Sequence, residues 1–187
     1  AKSSKQIILD DLWYDNPIFR QILGICSTLA VTNVVVNTLV MCVSLTLVTA
    51  LSCATVSALR NQTPRSIRMM VQVLIIAFYV IIVDLLLKAY WPEMSRQLGP
   101  YVGLIITNCI VMGRCEAFAG ANEPWPSFLD GFFSGVGYSV VLLAIAAFRE
   151  LLGMGTVLGF AMPYFSTQWD KWIIMVMPPA GFFVLAM

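Results

Sequence analysis

The sequence predicts an all-α integral membrane protein, with six transmembrane helices arranged as two inverted repeats of three helices each. Of its 187 residues, 59% are hydrophobic and 11% are charged, whereas a soluble domain is about 45–50% apolar and about 25% charged. The 39 residues between Arg20 and Arg60 carry no charge at all. A short motif near residue 23 recurs near residue 98. These three observations predict the membrane class, the helical spans and the repeat.

The N-terminal segment does not resemble a secretory signal. Its first 19 residues contain three acidic side chains and no long apolar run, whereas a signal peptide has a basic start and a continuous apolar stretch. We expect residues 1–19 to form a cytoplasmic segment and residues 20–187 to form a single six-helix membrane domain. The inverted halves of that domain would cover about 20–90 and 96–187.

The first two helices are predicted within the uncharged stretch after Arg20. At 1.5 Å per residue, a single helix of that length would be roughly twice as long as the hydrocarbon core is thick. The chain must therefore turn back once, and the two amides make a turn around Asn33 to Asn37 the best candidate. This leaves a short first helix and a longer second helix that ends at Leu59.

The remaining helices follow from the apolar runs and their breakers. A third helix is predicted from Met69 to about Tyr90, before Pro92. The fourth segment, Leu98 to Met112, is short, and we expect it to be broken by Gly99, Pro100, Gly103 and Gly113. The fifth helix is predicted from Phe132 to Phe148. The sixth begins near Trp172 and is still apolar at Met187, so we expect a further tail, because a span needs about 20 residues.

The basic residues predict the orientation. Arg60, Arg65 and Arg68 fall in the short loop after the second helix. Cytoplasmic loops carry an excess of Lys and Arg. We therefore expect this loop and the N-terminus to lie in the cytoplasm.

A weak internal repeat gives the predicted halves their symmetry. Leu23-Gly24 and Thr32-Asn33 recur 75 positions later, as Leu98-Gly99 and Thr107-Asn108. Because three helices separate the copies, the second copy would enter the membrane from the opposite side. Short or broken helices at matching positions of two inverted halves point to a site near the middle of the bilayer.

Two of the five cysteines fall on this repeat. Cys26 follows Gly24 by two residues and Cys109 directly follows Asn108. If the halves are inverted and positions 26 and 34 are about equally far from the midplane, both cysteines lie at the same depth. Thiolates bind zinc, copper(I) or iron–sulfur clusters, and a two-iron cluster ordinarily needs four cysteines. The missing pair would come from another subunit. Plain packing of both cysteines remains the alternative.

The composition also excludes several functions. A net charge of +1 without a basic tract gives no basis for nucleic-acid binding, and the absence of histidine excludes a Ser-His triad and a His-rich metal site. Cys42 and Cys53 would lie roughly 16 Å apart on one helix, too far to share a metal ion. We expect them to pack as small hydrophobic residues, and Cys115 to pack or to lie in a loop beyond Gly113.

Charged residues near the apolar segments are the second group of candidates. Asp84 and Lys88 are one helical turn apart, and we expect them to form an ion pair. Arg114 with Glu116, and Arg149 with Glu150, are interpreted in the same way. A role in an ion pathway is the alternative, because charged residues in a membrane span are costly and often functional.

Several segments resemble a known family. The run Leu104–Arg114, which contains Thr107-Asn108-Cys109, resembles the signature of the D and E membrane subunits of sodium-translocating NADH:quinone oxidoreductases and of the related Rnf complexes. The match is closer to the D branch than to the Rnf branch. It continues in segments 23–32, 83–90, 116–119, 126–131 and 148–153.

The resemblance implies a shared cofactor. In that family two homologous six-helix subunits hold one [2Fe-2S] cluster inside the membrane, with two cysteines from each. Carried over to matching positions, the metal ligands here are Cys26 and Cys109. Gly24, Gly103, Thr107 and Asn108 are candidate cofactor-binding residues around the cluster, with close helix packing as the equal alternative.

The resemblance also implies an enzyme complex in the bacterial inner membrane. This chain would have no catalysis of its own and would relay electrons between the F and C subunits, with the homologous E subunit and the A and B subunits as further partners and with sodium moved outward. Three alternatives remain open. They are the equivalent subunit of an Rnf ferredoxin:NAD oxidoreductase, a small inverted-repeat transporter without iron, and a structural membrane scaffold.

Overall fold

The computed structural model describes residues 23–32, 34–64, 66–154, 156–157 and 160–161. All long elements among these residues are helices, as predicted. They are α1 (Ile25–Val31), α2 (Val35–Leu59), α3 (Arg68–Tyr90), α4 (Pro92–Ile106), α5 (Cys109–Arg114), which continues as a π-helical turn (Cys115–Ala119), and α6 (Pro124–Met154). A two-residue hairpin follows, in which β1 (Thr156–Val157) pairs antiparallel with β2 (Phe160–Ala161).

Four described segments are long and apolar enough to cross a membrane. They are Val35–Leu59, Arg68–Tyr90, Gly99–Ala119 and Pro124–Leu151. This confirms the predicted all-α membrane class. The N-terminal segment 1–19 and the sixth helix predicted near Trp172 lie outside the described residues, so six spans in two inverted halves stay a prediction.

The spans run alternately up and down. At one end of the bundle, Arg60 and Arg68 donate hydrogen bonds to the carbonyl oxygens of Ala121 and Gly120, so the loop after α2 lies beside the loop before α6. At the other end, Arg149 near the end of α6 donates to the hydroxyl of Thr32. The short helix α1 therefore leads from the interior of the bundle to this second end.

Helices α2 and α6 pack closely because small residues face each other. A Cβ atom on Gly131 would lie 3.0 Å from the carbonyl oxygen of Thr49, and one on Gly135 would lie 3.0 Å from the Cα of Thr46. Two backbones can approach this closely only where side chains are small, which is how membrane helices gain packing contacts. This pair of helices is the core against which α1 and α5 are placed.

The predicted first turn was too long. Helix α1 ends at Val31 and α2 begins at Val35, so Asn37 lies inside α2 rather than in the turn. The hydroxyl of Thr38 donates to the carbonyl oxygens of Val31 and Val34 at 3.0 and 2.9 Å. These bonds hold the end of α1 against the first turn of α2, so α2 begins before Asn37.

The prediction for the fourth segment was wrong about its breaks. Gly99, Pro100 and Gly103 lie inside α4, and Gly113 lies inside α5, while the chain is interrupted at Thr107 and Asn108. In a membrane, a helix tolerates glycine and proline because neighbouring groups satisfy the few freed backbone groups. The break lies where the Asn108 side chain can start a new helix by accepting a hydrogen bond from the Ile110 N–H at 3.1 Å.

The fifth predicted helix was too short at both ends. Helix α6 covers Pro124–Met154 rather than Phe132–Phe148. Pro124 is tolerated in the first turn, where backbone N–H groups have no partner inside the helix. Asp130 and Arg149 do not end the helix either, since both are buried against neighbouring helices.

The ion pair predicted between Asp84 and Lys88 is present, with Lys88 Nζ 2.6 Å from Asp84 Oδ2. The pairing predicted for Arg114 differs from the structure. Arg114 pairs with Asp130 across the bundle at 3.3 Å, and Glu116 lies 3.7 Å from Arg68. Residues two apart on a helix point in different directions, which is why pairing between Arg114 and Glu116 is not favoured.

Candidate functional site

Two helices begin in the interior of the bundle, and each carries one of the predicted ligands. Helix α1 follows Gly24, whose φ of 82° lies in the left-handed region that glycine adopts at no steric cost. Cys26 lies in the first turn of α1, and Cys109 is the first residue of α5. Both thiols therefore lie at points where a helix starts.

The starts of α1 and α5 meet against the middle of α6. A Cβ atom on Gly24 would lie 2.6 Å from Ile110 Cδ1 and 2.8 Å from Tyr138 Cε2. Tyr138 is near the centre of the 31-residue helix α6 and is fully buried. The two cysteine-bearing segments are thus brought together against the middle of α6.

Hydrogen bonds join the two segments directly. Asn108 Nδ2 donates to Ser27 Oγ at 3.2 Å, and the Ser27 hydroxyl is in hydrogen-bond contact with the Tyr138 hydroxyl. The hydroxyls of Ser27 and Thr28 each lie 3.0 Å from the carbonyl oxygen of Gly24 and donate to it. Every member of this network is buried. The residue after Cys26 is therefore fixed to the residue before Cys109.

The two candidate ligands differ from the other cysteines in exposure. Cys26 and Cys109 are exposed on the surface of the chain, whereas Cys42, Cys53 and Cys115 are buried. Within the described part of the chain, no three His, Cys, Asp or Glu side chains are grouped as metal ligands. The arrangement offers two exposed thiols on segments that are joined by the hydrogen bond between Asn108 and Ser27.

The predicted cofactor-binding residues fall into two groups. Gly24 and Asn108 belong to the network that joins the two segments. Thr107 ends α4 next to that network and is exposed. Gly103 lies within α4, is exposed, and has open space where a Cβ would be. The structure therefore places Gly24 and Asn108 in the network and Thr107 directly before it in the chain, while Gly103 lies one helical turn before Thr107.

The outer end of α1 is also held by α6. Glu150 Oε2 accepts a hydrogen bond from the backbone N–H of Val35 at 2.7 Å, where α2 begins. Arg149 donates to the Thr32 hydroxyl, directly after α1. Helix α6 thus contacts the inner end of α1 through Tyr138, and it contacts the connection between α1 and α2 through Arg149 and Glu150.

Sequence reasoning missed Tyr138 and Ser27. The available signal was a tyrosine in the middle of an apolar span, because a buried phenol needs a hydrogen-bond partner. Nothing local in the sequence identifies Ser27 as that partner. Only the fold brings together two residues that lie 111 positions apart.

The other three cysteines have structural contacts. Cys115 does not lie in a loop, since it begins the π-helical turn and is fully buried. Its sulfur lies 3.7 Å from that of Cys53. The Cys42 thiol lies 3.9 Å from the carbonyl oxygen of Ser139 on α6. These cysteines fill the tight interfaces of α2, as expected for small hydrophobic residues.

The two Thr-Asn steps of the sequence repeat have the same local effect. Thr32 follows the end of α1 with φ −75° and ψ 16°, and Thr107 follows the end of α4 with φ −93° and ψ 12°. In both places a new helix begins within three residues. The repeat therefore marks two helix interruptions, although Asn33 itself lies outside the described residues.

Comparison with known proteins gives matches over nearly the whole chain. The family model described as "Rnf-Nqr subunit, membrane protein" matches residues 4–187. Three similar proteins are each named as the D subunit of a Na(+)-translocating NADH-quinone reductase. The protein of Pseudoalteromonas atlantica is 48% identical, over 99% of this chain and 90% of its own length. That of Chlamydia pneumoniae is 47% identical over 98% and 90%, and that of Aeromonas salmonicida is 45% identical over 98% and 89%.

Proposed function

Because this chain belongs to the Rnf-Nqr family of membrane subunits, we propose that it serves as the D-type subunit of a sodium-translocating NADH:quinone reductase. In that role it relays electrons across the bilayer through an intramembrane [2Fe-2S] cluster that it shares with a homologous subunit. The names of relatives that are 45–48% identical support the first part of this proposal. The geometry around Cys26 and Cys109 supports the second.

The single observation that carries the cluster proposal is the contact between Asn108 and Ser27. It joins the immediate chain neighbours of Cys109 and Cys26, while both thiols stay exposed. Cysteines that only fill space are buried, as Cys42 and Cys53 are. Two exposed cysteines at the beginnings of neighbouring helices suit a cofactor that needs two further ligands from a second chain.

The residues present fit a [2Fe-2S] cluster chemically. Such a cluster is held by four cysteine thiolates, of which Cys26 and Cys109 would supply two and the homologous E subunit two. When bound, the cluster supplies one-electron redox chemistry at a depth where protein side chains have none. The first turn of α5 has backbone N–H groups without partners in the helix. Hydrogen bonds from Gly24, Thr107 or Asn108 toward the sulfurs would raise the reduction potential.

The wider role follows from the place of such a subunit in its complex. Electrons from NADH would reach this position from the F subunit on the cytoplasmic side and leave it toward the C subunit on the other side. The A and B subunits complete the complex, in which sodium is moved outward as quinone is reduced. From the family resemblance we place the chain in the bacterial inner membrane. From the arginines between α2 and α3 we place its N-terminus in the cytoplasm.

Low-temperature EPR with iron quantification on the purified, NADH-reduced complex tests the proposal. Cys109→Ala should lose one [2Fe-2S] signal and its iron, while the cluster of the F subunit and the assembly of the complex are retained. Cys42→Ala is the matched control, because its thiol is buried beside Ser139 and should leave the spectrum unchanged. An unchanged iron content and spectrum in Cys109→Ala would contradict the cluster proposal and favour a transporter or a scaffold.

A further inference from the structure

A cleft lies between α2 and α3 at the end of the bundle that carries the basic loop. Its walls include two arginines at the rim and apolar side chains below them, namely Val56, Leu59, Arg60, Arg68, Val71 and Ile75. Both helices that form the cleft are membrane-crossing segments. The cleft therefore lies at the boundary between the hydrocarbon core and the water phase.

The two arginines are held close together by one short segment of backbone. Arg60 Nη1 donates to the carbonyl oxygen of Ala121 at 2.9 Å, and Arg68 Nη2 donates to that of Gly120 at 2.7 Å. Because these carbonyl groups belong to consecutive residues, both guanidinium groups are held beside the same short segment of backbone.

The described part of the chain supplies only part of the compensating charge. Glu116 Oε1 lies 3.7 Å from Arg68 Nη1, and the Glu116 side chain is half exposed. Its other carboxylate oxygen accepts a hydrogen bond from Gln72 Nε2 at 2.6 Å. Arg60 has no acidic partner among the described residues, and one of its N–H groups bonds to a neutral carbonyl oxygen. Of the two arginines that line the cleft, only Arg68 has an acidic side chain within ion-pair distance among the described residues.

We propose that this cleft binds the phosphodiester headgroup of an acidic phospholipid. A guanidinium group presents a planar pair of donors that matches two phosphate oxygens, and Arg60 and Arg68 would approach the phosphate from two sides. The cleft itself has a volume of only about 10 Å³, so the phosphate would lie at its rim, beside the arginines. The acyl chains would lie along the exposed apolar face of α3.

The location favours a lipid over the other anions that arginines bind. Basic pockets between transmembrane helices commonly hold acidic lipid headgroups. A free phosphate ion would make no use of the apolar walls. The face of α3 that continues from the cleft exposes Met70, Leu74 and Phe78, which suits hydrocarbon rather than an acidic surface of a soluble protein.

Native mass spectrometry of the purified, delipidated complex, titrated with phosphatidylglycerol or phosphatidylcholine, tests this site. Wild-type complex should retain phosphatidylglycerol in preference to phosphatidylcholine. Arg60→Gln and Arg68→Gln should each weaken that preference about fivefold, as expected for one basic side chain at an acidic lipid surface. Arg96→Gln is the matched control, because Arg96 is an exposed arginine at the opposite end of the bundle and should leave the preference unchanged.

Three outcomes would overturn the proposal. Equal retention of the two lipids by wild-type complex would show that the cleft does not select an acidic headgroup. Full displacement of the bound lipid by millimolar inorganic phosphate would identify a site for free phosphate. Loss of a soluble protein from the Arg60→Gln complex without any change in lipid retention would identify a protein-docking surface. If an arginine variant fails to assemble, the comparison of the two lipids on wild-type complex decides.

Discussion

Asn108 Nδ2 donates a hydrogen bond to Ser27 Oγ at 3.2 Å, and this bond connects the starts of two helices that each carry an exposed cysteine. The same side chain accepts from the Ile110 N–H through its Oδ1 at 3.1 Å. Asn108 therefore starts α5 and also fixes α5 against α1. Both functions require an amide, since one atom must donate while the other accepts.

We expect Asn108→Ala to destabilise the protein and to lower the iron content of the complex. The variant removes a helix cap that contributes about 1 kcal/mol. It also removes one hydrogen bond of the buried Ser27 hydroxyl, which keeps its contacts with Gly24 and Tyr138, so the further cost should be about 1 kcal/mol. The midpoint of thermal unfolding and the iron content of the purified complex measure the two effects.

Asn37→Ala is the matched control for this change. Asn37 also donates an amide hydrogen bond to another helix, to Gln97 Oε1 at 3.1 Å, but the contact is exposed. Its loss should change stability by no more than about 0.5 kcal/mol and should leave the iron content unchanged. Equal effects of the two alanine variants would show that the Asn108 bond has no special role in positioning the cysteines.

Gly24→Ala should prevent the two cysteine-bearing segments from meeting. The φ of 82° is unfavourable for alanine, and the added Cβ would lie 2.6 Å from Ile110 Cδ1. We expect little assembled complex and no cluster signal from Cys26 and Cys109. Western blotting of purified membranes and iron analysis of any purified complex provide the measurement.

Gly103→Ala should behave in the opposite way. Gly103 lies inside α4 with open space at its Cβ position, and glycine in a helix costs about 0.5–1 kcal/mol relative to alanine. We therefore expect unchanged assembly and equal or slightly higher stability. A loss of the cluster signal from Gly103→Ala alone would instead support the predicted role of Gly103 beside the cofactor.

Tyr138→Phe isolates the contribution of one buried hydroxyl. Ser27 keeps its bonds to Asn108 and Gly24 in this variant, so we expect a loss of only about 1 kcal/mol, the ordinary net value of a hydrogen bond. Tyr138→Ala also removes the ring that packs against Gly24, and should cost about 3–5 kcal/mol. Tyr101→Phe is the control. If Tyr101→Phe lost as much stability as Tyr138→Phe, the proposed network would be contradicted.

The fold class and most helix positions were predictable because they depend on local composition. The apolar runs and the arginines after Leu59 predict α2 and α3 nearly to the residue. The Thr-Asn repeat marks both interruptions, although the glycines and Pro100 suggested breaks that the structure does not have. In a membrane, neighbouring helices supply the hydrogen bonds that glycine and proline give up, and a single sequence does not show which neighbours are present.

The contacts that build the candidate site were less predictable. The repeat predicts that Cys26 and Cys109 lie at one depth, but the partner of Tyr138 depends on how α1 packs against α6. The pairing of Arg114 with Asp130 also depends on helix packing. A buried charged side chain pairs with the opposite charge that the packed helices bring close to it. Nearest neighbours in the sequence point in other directions and make poor predictors of such pairs.

Asp130→Asn should be the most destabilising of the carboxylate changes. Its partner Arg114 lies 3.3 Å away, and the Asp130 and Arg114 side chains are 2% and 9% exposed. Removing one charge of a buried pair costs about 3–5 kcal/mol because the other charge stays buried. Asp84→Asn is the control, since Lys88 is mostly exposed and such a surface pair contributes about 0.5 kcal/mol or less.

The double variant Arg114→Met with Asp130→Leu distinguishes two free energies. One is the stability lost when a single member of the pair is removed, and the other is the net stability that the intact pair contributes. Replacing both members by apolar residues leaves neither charge of this pair buried without the other, so thermal unfolding should show recovery of most of the stability lost in Asp130→Asn. No recovery would mean that Arg114 and Asp130 each have further contacts that matter more than their pairing. Retention of the cluster signal in the double variant would then show that the pair stabilises the bundle without positioning Cys109.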